Sequence, residues 1–115
     1  MRWLLGLVLC LVPLAAQDIE ETARQLERTA RADPSENNLF ELGSYLLQHN
    51  GFAPGLTTFE YGVGRYPKSA RLRVGLGVAL YSLRRYDEAV ERLCEAVDLD
   101  PSDTKALDFL GKMQD

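Results

Sequence analysis

Residues 86–101 read YDEAVERLCEAVDLDP and decide the fold of this chain. Apolar side chains recur there at the three- and four-residue steps that place them on one face of an α-helix. They are Ala89, Val90, Leu93, Ala96 and Val97. We expect Asp87 to cap the start of this helix and Pro101 to end it, because proline cannot continue a helix. A helix with one apolar stripe cannot bury that stripe alone, so it needs neighbouring helices.

The neighbouring helices recur at a fixed period along the sequence. A Leu-Gly pair stands at 42–43, at 76–77 and at 110–111. The same spacing separates Leu46 from Leu80, Phe52 from Tyr86, Phe59 from Leu93, Gly62 from Ala96, and Pro67 from Pro101. One such pair at a chosen position has a chance of roughly one in a hundred at ordinary composition. A register of this extent therefore indicates an internal repeat, with a period of about 34 residues.

These residues resemble the tetratricopeptide repeat, a helix–turn–helix unit of this length. Its pattern is aromatic-x2-Leu-Gly-x2-Tyr, then Ala-x3-Phe, then proline. The resemblance covers nearly all of the chain after residue 17, and it implies an all-α solenoid of about two and a half repeats. We therefore expect one domain at 17–115, which divides into a capping helix at 17–33, repeats at 36–69 and 70–103, and a partial repeat at 104–115.

The apolar spacing also predicts where the other helices run. We expect them at about 18–32, 36–49, 53–65, 70–83 and 104–113. Ser35 or Asn37 can cap the second of these, and Gly51 can take the positive φ of the turn that follows it. Glycine is unfavourable inside a helix, so Gly43, Gly77 and Gly111 need a reason. We expect each of them to let the two helices of a pair approach closely.

Residues 1–16 have the layout of a secretory signal peptide. A short positive start at Met1-Arg2 precedes an uncharged, mostly apolar run from Trp3 to Ala16. This run is shorter than the roughly 17 residues or more that a bilayer-spanning helix usually needs. We expect cleavage after Ala16 and export of the mature chain to a periplasm or out of the cell. The alternative is an uncleaved membrane anchor.

No catalytic, metal-binding or cofactor-binding constellation is predicted, and the chain is not expected to be an enzyme. His49 is the only histidine and lies at a turn, and Cys94 is the only cysteine outside 1–16. One histidine and one cysteine do not make a zinc site of the usual composition. We expect Cys94 to pack as a small apolar side chain.

Charge argues against nucleic acid as a partner. The chain has 115 residues, a formal net charge of −4 and a hydrophobic content of 46%. Its basic residues alternate with acidic ones, whereas nucleic-acid binding needs clustered Lys and Arg. We therefore expect a protein partner.

The resemblance implies a concave groove lined by the first helix of each pair, in which a peptide or a partner helix lies. Carried over by spacing, the groove residues are Phe40, Ser44, Leu47, Val74, Val78, Tyr81, Lys105 and Asp108. Some family members clamp a carboxylate there with lysines and asparagines, but Phe40, Ser44 and Val78 stand where that clamp needs polar groups. We therefore expect an exported scaffold that binds an apolar or amphipathic segment of a partner protein, mainly through Phe40 and Tyr81. The alternative is that several of these side chains pack within the stack.

The last helix offers a second candidate surface. Its apolar residues cover a wide arc, and we expect Leu107 and Leu110 to pack on the preceding helix. Phe109 and Met113 would then form an open apolar edge. The alternative is that Phe109 folds against its own neighbours. Two alternative functions follow, namely a homo-oligomer that pairs through this edge and a membrane-tethered envelope assembly factor that retains 1–16.

Overall fold

The structure, a computed structural model, describes residues 14–114. Over that range it contains six α-helices and no strand, which confirms the predicted all-α solenoid. The helices are α1 (Leu14–Ala32), α2 (Glu36–Gln48), α3 (Phe52–Arg65), α4 (Ala70–Ser82), α5 (Tyr86–Leu99) and α6 (Thr104–Gln114). None of these helices is both long enough and apolar enough to cross a bilayer.

Helix α1 begins four residues before its predicted start. Its first turn includes 14–16, which is the end of the predicted signal peptide. The remainder of that prediction, at 1–13, lies outside the described residues. The other predicted helix boundaries agree with the observed ones to within one or two residues.

The first helices of the pairs, α2, α4 and α6, begin at caps that keep the repeat spacing. Ser35 Oγ accepts a hydrogen bond from a backbone N–H three residues later at 3.1 Å, and Ser69 Oγ does the same at 3.2 Å. Asp103 Oδ1 accepts from the backbone N–H of Lys105 at 3.0 Å. Each oxygen satisfies a helix N–H that has no partner within the helix. The start of every first helix is therefore encoded locally.

A left-handed residue joins the two helices of each complete pair. Asn50 has a φ of 64° and Arg84, one repeat later, a φ of 63°. The next N–H, that of Gly51 or Arg85, donates to a carbonyl oxygen five residues earlier at 2.7 or 2.9 Å and closes the helix end. The expectation that Gly51 takes the positive φ is wrong, because its φ is −81°. Asparagine tolerates the left-handed region better than arginine, so the second turn is the more strained one.

Helix α5 buries most of its predicted apolar face, but Val90 and Asp87 differ from their predictions. The deeply buried residues are Ala89, Leu93 and Ala96. Val90, by contrast, is 38% exposed. The helix begins at Tyr86, and Arg85 before it makes no side-chain cap bond. Asp87 is therefore a first-turn residue, whose negative charge the helix dipole favours, and not the cap.

Helix α4 is the most deeply buried helix of the chain. It contacts α3 and α5 along its length and also touches α2 and α6. Its buried residues are Leu72, Val74, Gly75, Leu76, Gly77, Ala79 and Leu80. A helix covered on nearly every side has no polar face of its own, so α4 and not α5 is the centre of the fold.

Large side chains of the second helices fill the space that glycines leave in the first helices. Phe59 of α3 is 1% exposed, and a Cβ added at Gly43 would lie 2.6 Å from its Cε2 atom. A Cβ added at Gly75 would overlap the same ring from the side of α4. In the next pair, a Cβ added at Gly77 would lie 2.7 Å from Cγ of Leu93. The close approach predicted at Gly43 and Gly77 is therefore confirmed.

Helix α6 departs from this pattern and corrects two predictions. Apart from its chain neighbours and the backbone of α6 itself, no atom of the described residues lies within 4 Å of a Cβ added at Gly111, so no other helix approaches it closely. Phe109 and Met113 are partly buried against the core, whereas Leu107 is 48% exposed. The reason is that α6 docks through Ala106, which is 1% exposed. Phe109 and Met113 share the face of Ala106 at helical spacing, and Leu107 does not.

Cys94 also differs from its prediction. It is exposed rather than packed as a small apolar side chain. One helical step of about 100° carries it from the fully buried Leu93 to the outer surface of α5.

Candidate partner-binding groove

Residues of the three first helices meet in one cavity. Helices α2, α4 and α6 lie side by side, and a cavity of about 290 Å³ opens between them. Of the predicted groove residues, those that line it are Phe40, Ser44, Leu47, Val74, Val78 and Lys105. The structure therefore places these six together, as the repeat spacing indicates.

The apolar part of the cavity belongs partly to the core. Val74 is only 9% exposed, so it forms the floor and offers a ligand little surface. Phe40, Leu47 and Val78 pack against the core and remain partly exposed. The ring of Phe40 meets the ring of Phe59 edge to face, with the ring centroids 6.5 Å apart. The wall that a partner can reach therefore consists mainly of these three partly exposed side chains.

Tyr81 and Asp108 do not line this cavity. Tyr81 is 39% exposed, and its ring centroid lies 5.4 Å from that of Tyr86. The two tyrosines line a separate depression of about 430 Å³, together with Val90 and Met113. Asp108 is exposed on α6 and lines neither space. A ligand that touches both Phe40 and Tyr81 would have to extend beyond the central cavity.

Arg71 is a cavity residue that the groove prediction missed. Its guanidinium carbon lies 4.8 Å from the centroid of the Phe40 ring, which is a cation–π contact. Its Nε donates to Oε1 of Glu36 at 3.0 Å, and the Ser69 hydroxyl donates to the same oxygen at 2.6 Å. The Ser69 hydroxyl, and then Arg71, hold the pKa of Glu36 below its ordinary value. Glu36 is therefore a fixed anion that positions Arg71 beside Phe40.

A wider polar depression continues the cavity at the end where Arg71 lies. It has a volume of about 820 Å³ and shares Arg71, Asp103 and Lys105 with the cavity. Its charged residues comprise four basic ones (Arg65, Lys68, Arg71, Lys105) and three acidic ones (Glu36, Asp100, Asp103). The groove is thus apolar at its centre and charged at one end.

Comparison with known families identifies the family of this helical array. The sequence model described as tetratricopeptide repeat matches residues 40–104, which is more than half of the chain. The chain belongs to the tetratricopeptide repeat family. The match spans most of α2 and all of α3, α4 and α5, and it ends where α6 begins.

Solved structures share the fold of this tetratricopeptide array. The MamA structure (41-end) from Desulfovibrio magneticus RS-1 is 25% identical with a TM-score of 0.74, and the match covers 87% of this chain and 57% of that one. The first tetratricopeptide domain of Spaghetti (RPAP3), bound to the HSP90 peptide SRMEEVD, is 18% identical with a TM-score of 0.77. That match covers 88% of this chain and 81% of the other, and at such identity it shows the fold alone.

A curated relative is much longer than this chain. It is described as an inactive TPR repeat-containing thioredoxin, TTL3, of Arabidopsis thaliana, and it is 29% identical over 92 residues. The match covers 80% of this chain and 13% of the relative. The present chain therefore spans a small part of that protein and about 57% of the MamA chain.

The repeat register of the tetratricopeptide array contains the signal that would have identified Arg71. Arg71 stands one full repeat before Lys105, which was predicted as a groove residue. Arg71, at the equivalent position of the neighbouring first helix, is therefore also predictable as a groove residue. Phe109 and Gln48, which also line the cavity, carry no comparable sequence signal, because the packing of α6 brings Phe109 there.

Proposed function

We propose that this chain is a protein-interaction module that holds an apolar or amphipathic segment of a partner protein in the groove of α2, α4 and α6. The observation that carries the proposal is the cavity of about 290 Å³ in which side chains of all three first helices meet. A tetratricopeptide domain of the same fold, that of RPAP3, holds a peptide of HSP90. The same architecture is therefore suited to holding an extended or helical segment here.

The chemistry of the groove sets the kind of segment that fits. Phe40, Leu47 and Val78 offer partly exposed apolar surface, which an apolar side chain of the partner can cover. Lys105 and Arg71 lie at one end together with Asp103, and Arg71 is paired with Glu36, so that end suits a polar or charged part of the segment. The proposal assigns binding to the chain and no reaction.

Export forms a second part of the proposal and rests on sequence alone. The short positive start and the apolar run before Gln17 support removal of 1–16 during export. Sequencing the N-terminus of the chain recovered from its native compartment would test this. A start near Gln17 is expected, whereas a chain that keeps Met1 would favour the membrane-anchored alternative.

The groove is tested by affinity capture with matched variants. Phe40→Ala removes the aromatic wall, and Ser44→Arg fills the cavity while the contact of Phe40 with Phe59 stays intact. Tyr61→Ala is the control, because Tyr61 is 52% exposed on α3 and does not line the cavity. Both groove variants should weaken capture of the partner at least about tenfold, as expected for a hot-spot aromatic and a blocked pocket.

Folding must be checked beside binding, since Phe40 also contacts the core. Circular dichroism should show wild-type helix content for every variant at the capture temperature. Undiminished capture by folded Ser44→Arg would overturn the groove assignment. Tyr81→Ala is tested in a separate experiment. This variant should weaken capture only if the bound segment reaches the depression lined by Tyr81 and Tyr86.

A further inference from the structure

The outer face of α6 lacks the neighbour that the other first helices have. In the two complete pairs, Phe59 and Leu93 of the second helix fill the space beside Gly43 and Gly77. Gly111 holds the equivalent position in α6, yet no atom of another described helix lies within 4 Å of a Cβ added there. Leu107, one helical turn earlier on the same face, is 48% exposed. Helix α6 thus presents a first-helix surface that no second helix within 14–114 covers.

At the opposite end of the array, helix α1 lacks a first helix to pair with within 14–114. Helix α1 stands where the second helix of a preceding pair would stand. When Pro34 is aligned with Pro67, the α1 residues Thr22, Leu26 and Thr29 fall on Gly55, Phe59 and Gly62 of α3. Leu26 is therefore the α1 equivalent of the side chain that fills the glycine space.

The side of α1 that carries Leu26 is suited to pairing with a helix. Thr22 and Leu26 are only half-buried. Leu26 already packs against Ala30, Leu39 and Leu42 with part of its surface, and the rest of that side chain stays open. At about 100° per residue, Thr22, Leu26 and Thr29 fall within one arc of about 60°. The charged residues of 22–32 fall on another arc, and these are Arg24, Glu27, Arg28 and Arg31. Over 22–32 the arc around Leu26 is thus uncharged, and Asp18 lies one helical turn before Thr22 at the edge of that arc.

We propose that α6 of one chain pairs with α1 of a second copy, so that the two copies complete a repeat between them. Leu26 of the second copy would fill the space beside Gly111, as Leu93 fills the space beside Gly77 within the chain. The occupant is a second copy because α1 carries Leu26 at the repeat position that Phe59 holds in α3. The contact continues the packing that already joins α4 to α5.

The two surfaces differ, so the contact joins copies head to tail. Such a heterologous interface does not close after two copies unless the rotation between them brings the ends together. A single helix pair buries little area, so the association is expected to be weak and concentration-dependent. Leu107 and Gly111 lie on the side of α6 opposite to Lys105, so pairing leaves the proposed groove open, and neither proposal depends on the other.

Disulfide trapping tests the geometry directly. The two native cysteines, Cys10 and Cys94, are replaced by serine, and Leu26→Cys and Gly111→Cys are placed on separate chains. A mixture of the two should form a disulfide-linked dimer on mild oxidation, whereas neither chain alone should. A symmetric, isologous contact would instead link one of the variants to itself and would overturn the head-to-tail arrangement. Absence of any link in the mixture would also overturn it.

A matched pair of glycine variants tests the surface in solution. Gly111→Leu and Gly64→Leu add the same side chain at helical positions where an added Cβ meets no atom of the described residues within 4 Å. Sedimentation velocity should show that Gly111→Leu weakens self-association at least about tenfold while Gly64→Leu leaves it unchanged. Equal association of the two variants would overturn the proposal. A wild-type protein that stays monomeric up to about 1 mM would also overturn the proposal. So would a wild-type protein whose sedimenting mass rises only when another protein is added.

Discussion

The glycines that recur with the repeat allow the packing energy of one contact to be isolated. Gly77 and Gly111 occupy the same repeat position in α4 and α6, but their surroundings differ. A Cβ at Gly77 would lie 2.7 Å from Cγ of Leu93, 2.9 Å from its Cδ2 and 3.3 Å from the backbone oxygen of Ala89. Leu93 is 0% exposed and has no room to withdraw. A Cβ at Gly111 would meet no atom of another described helix within 4 Å.

The expected energies follow from two terms. Replacing a helical glycine by alanine gains about 1 kcal/mol of helix propensity at either position. Overpacking at Gly77 costs about 1–3 kcal/mol, because Leu93 or the backbone must move. Gly77→Ala should therefore be neutral to about 2 kcal/mol destabilising, and Gly111→Ala up to about 1 kcal/mol stabilising. The propensity gain cancels in the comparison, so the variants should differ by about 1–3 kcal/mol.

Thermal and urea unfolding followed by circular dichroism measures this difference. At about 4–8 °C per kcal/mol for a domain of this size, the two midpoints should lie at least about 4 °C apart. The measurement is made at low protein concentration, so that self-association does not change the midpoints. Gly64→Ala serves as a second control, because a Cβ added at Gly64 also lies in open space. Equal midpoints for Gly77→Ala and Gly111→Ala would refute the idea that Gly77 is needed for close helix approach.

Three further predictions concern single side chains. Leu93→Ala should cost about 2–5 kcal/mol in urea unfolding, because it leaves a cavity at a fully buried site, and a loss below about 0.5 kcal/mol would contradict that placement. Arg84→Asn should stabilise by about 0.5–1 kcal/mol, since Arg84 has a φ of 63°, and a lower melting temperature would disprove the strain. Ser69 and Arg71 lower the pKa of Glu36, so its contribution is present at neutral pH and is lost as the pH falls from the ordinary glutamate pKa through the lowered one. Glu36→Gln should flatten that acid decline in stability, and an unchanged pH profile would show that the carboxylate contributes nothing.

The repeat spacing was sufficient to predict the helices and six of the residues that line the cavity between α2, α4 and α6. Ser69 and Asp103 show why, since the cap of each first helix lies in the adjacent sequence and recurs with the repeat. The central place of α4 was not predictable in this way. Residues such as Val74 and Ala79 are covered from several sides, and a helix of that kind has little one-sided periodicity.

The errors lie where long-range packing decides the outcome. The rotation of α6 is set by the contact of Ala106 with the core, and that contact buries Phe109 and exposes Leu107. No local pattern distinguishes those two apolar side chains. Tyr81 does not line the cavity of Phe40 for a related reason, because its ring lies against that of Tyr86.

The position of Phe59 has a consequence for how the array comes apart. In a repeat protein, stability is divided between what each repeat contributes alone and what the contact between neighbours contributes. The ring of Phe59 lies against Gly43 in its own repeat and against Gly75 in the next repeat. This one side chain therefore contributes both to the stability of the first repeat and to its contact with the second. The first repeat cannot open without withdrawing that ring from α4. The stretch from α2 to α5 should therefore unfold as one cooperative unit, while the helices at its two ends exchange their amide hydrogens independently and faster.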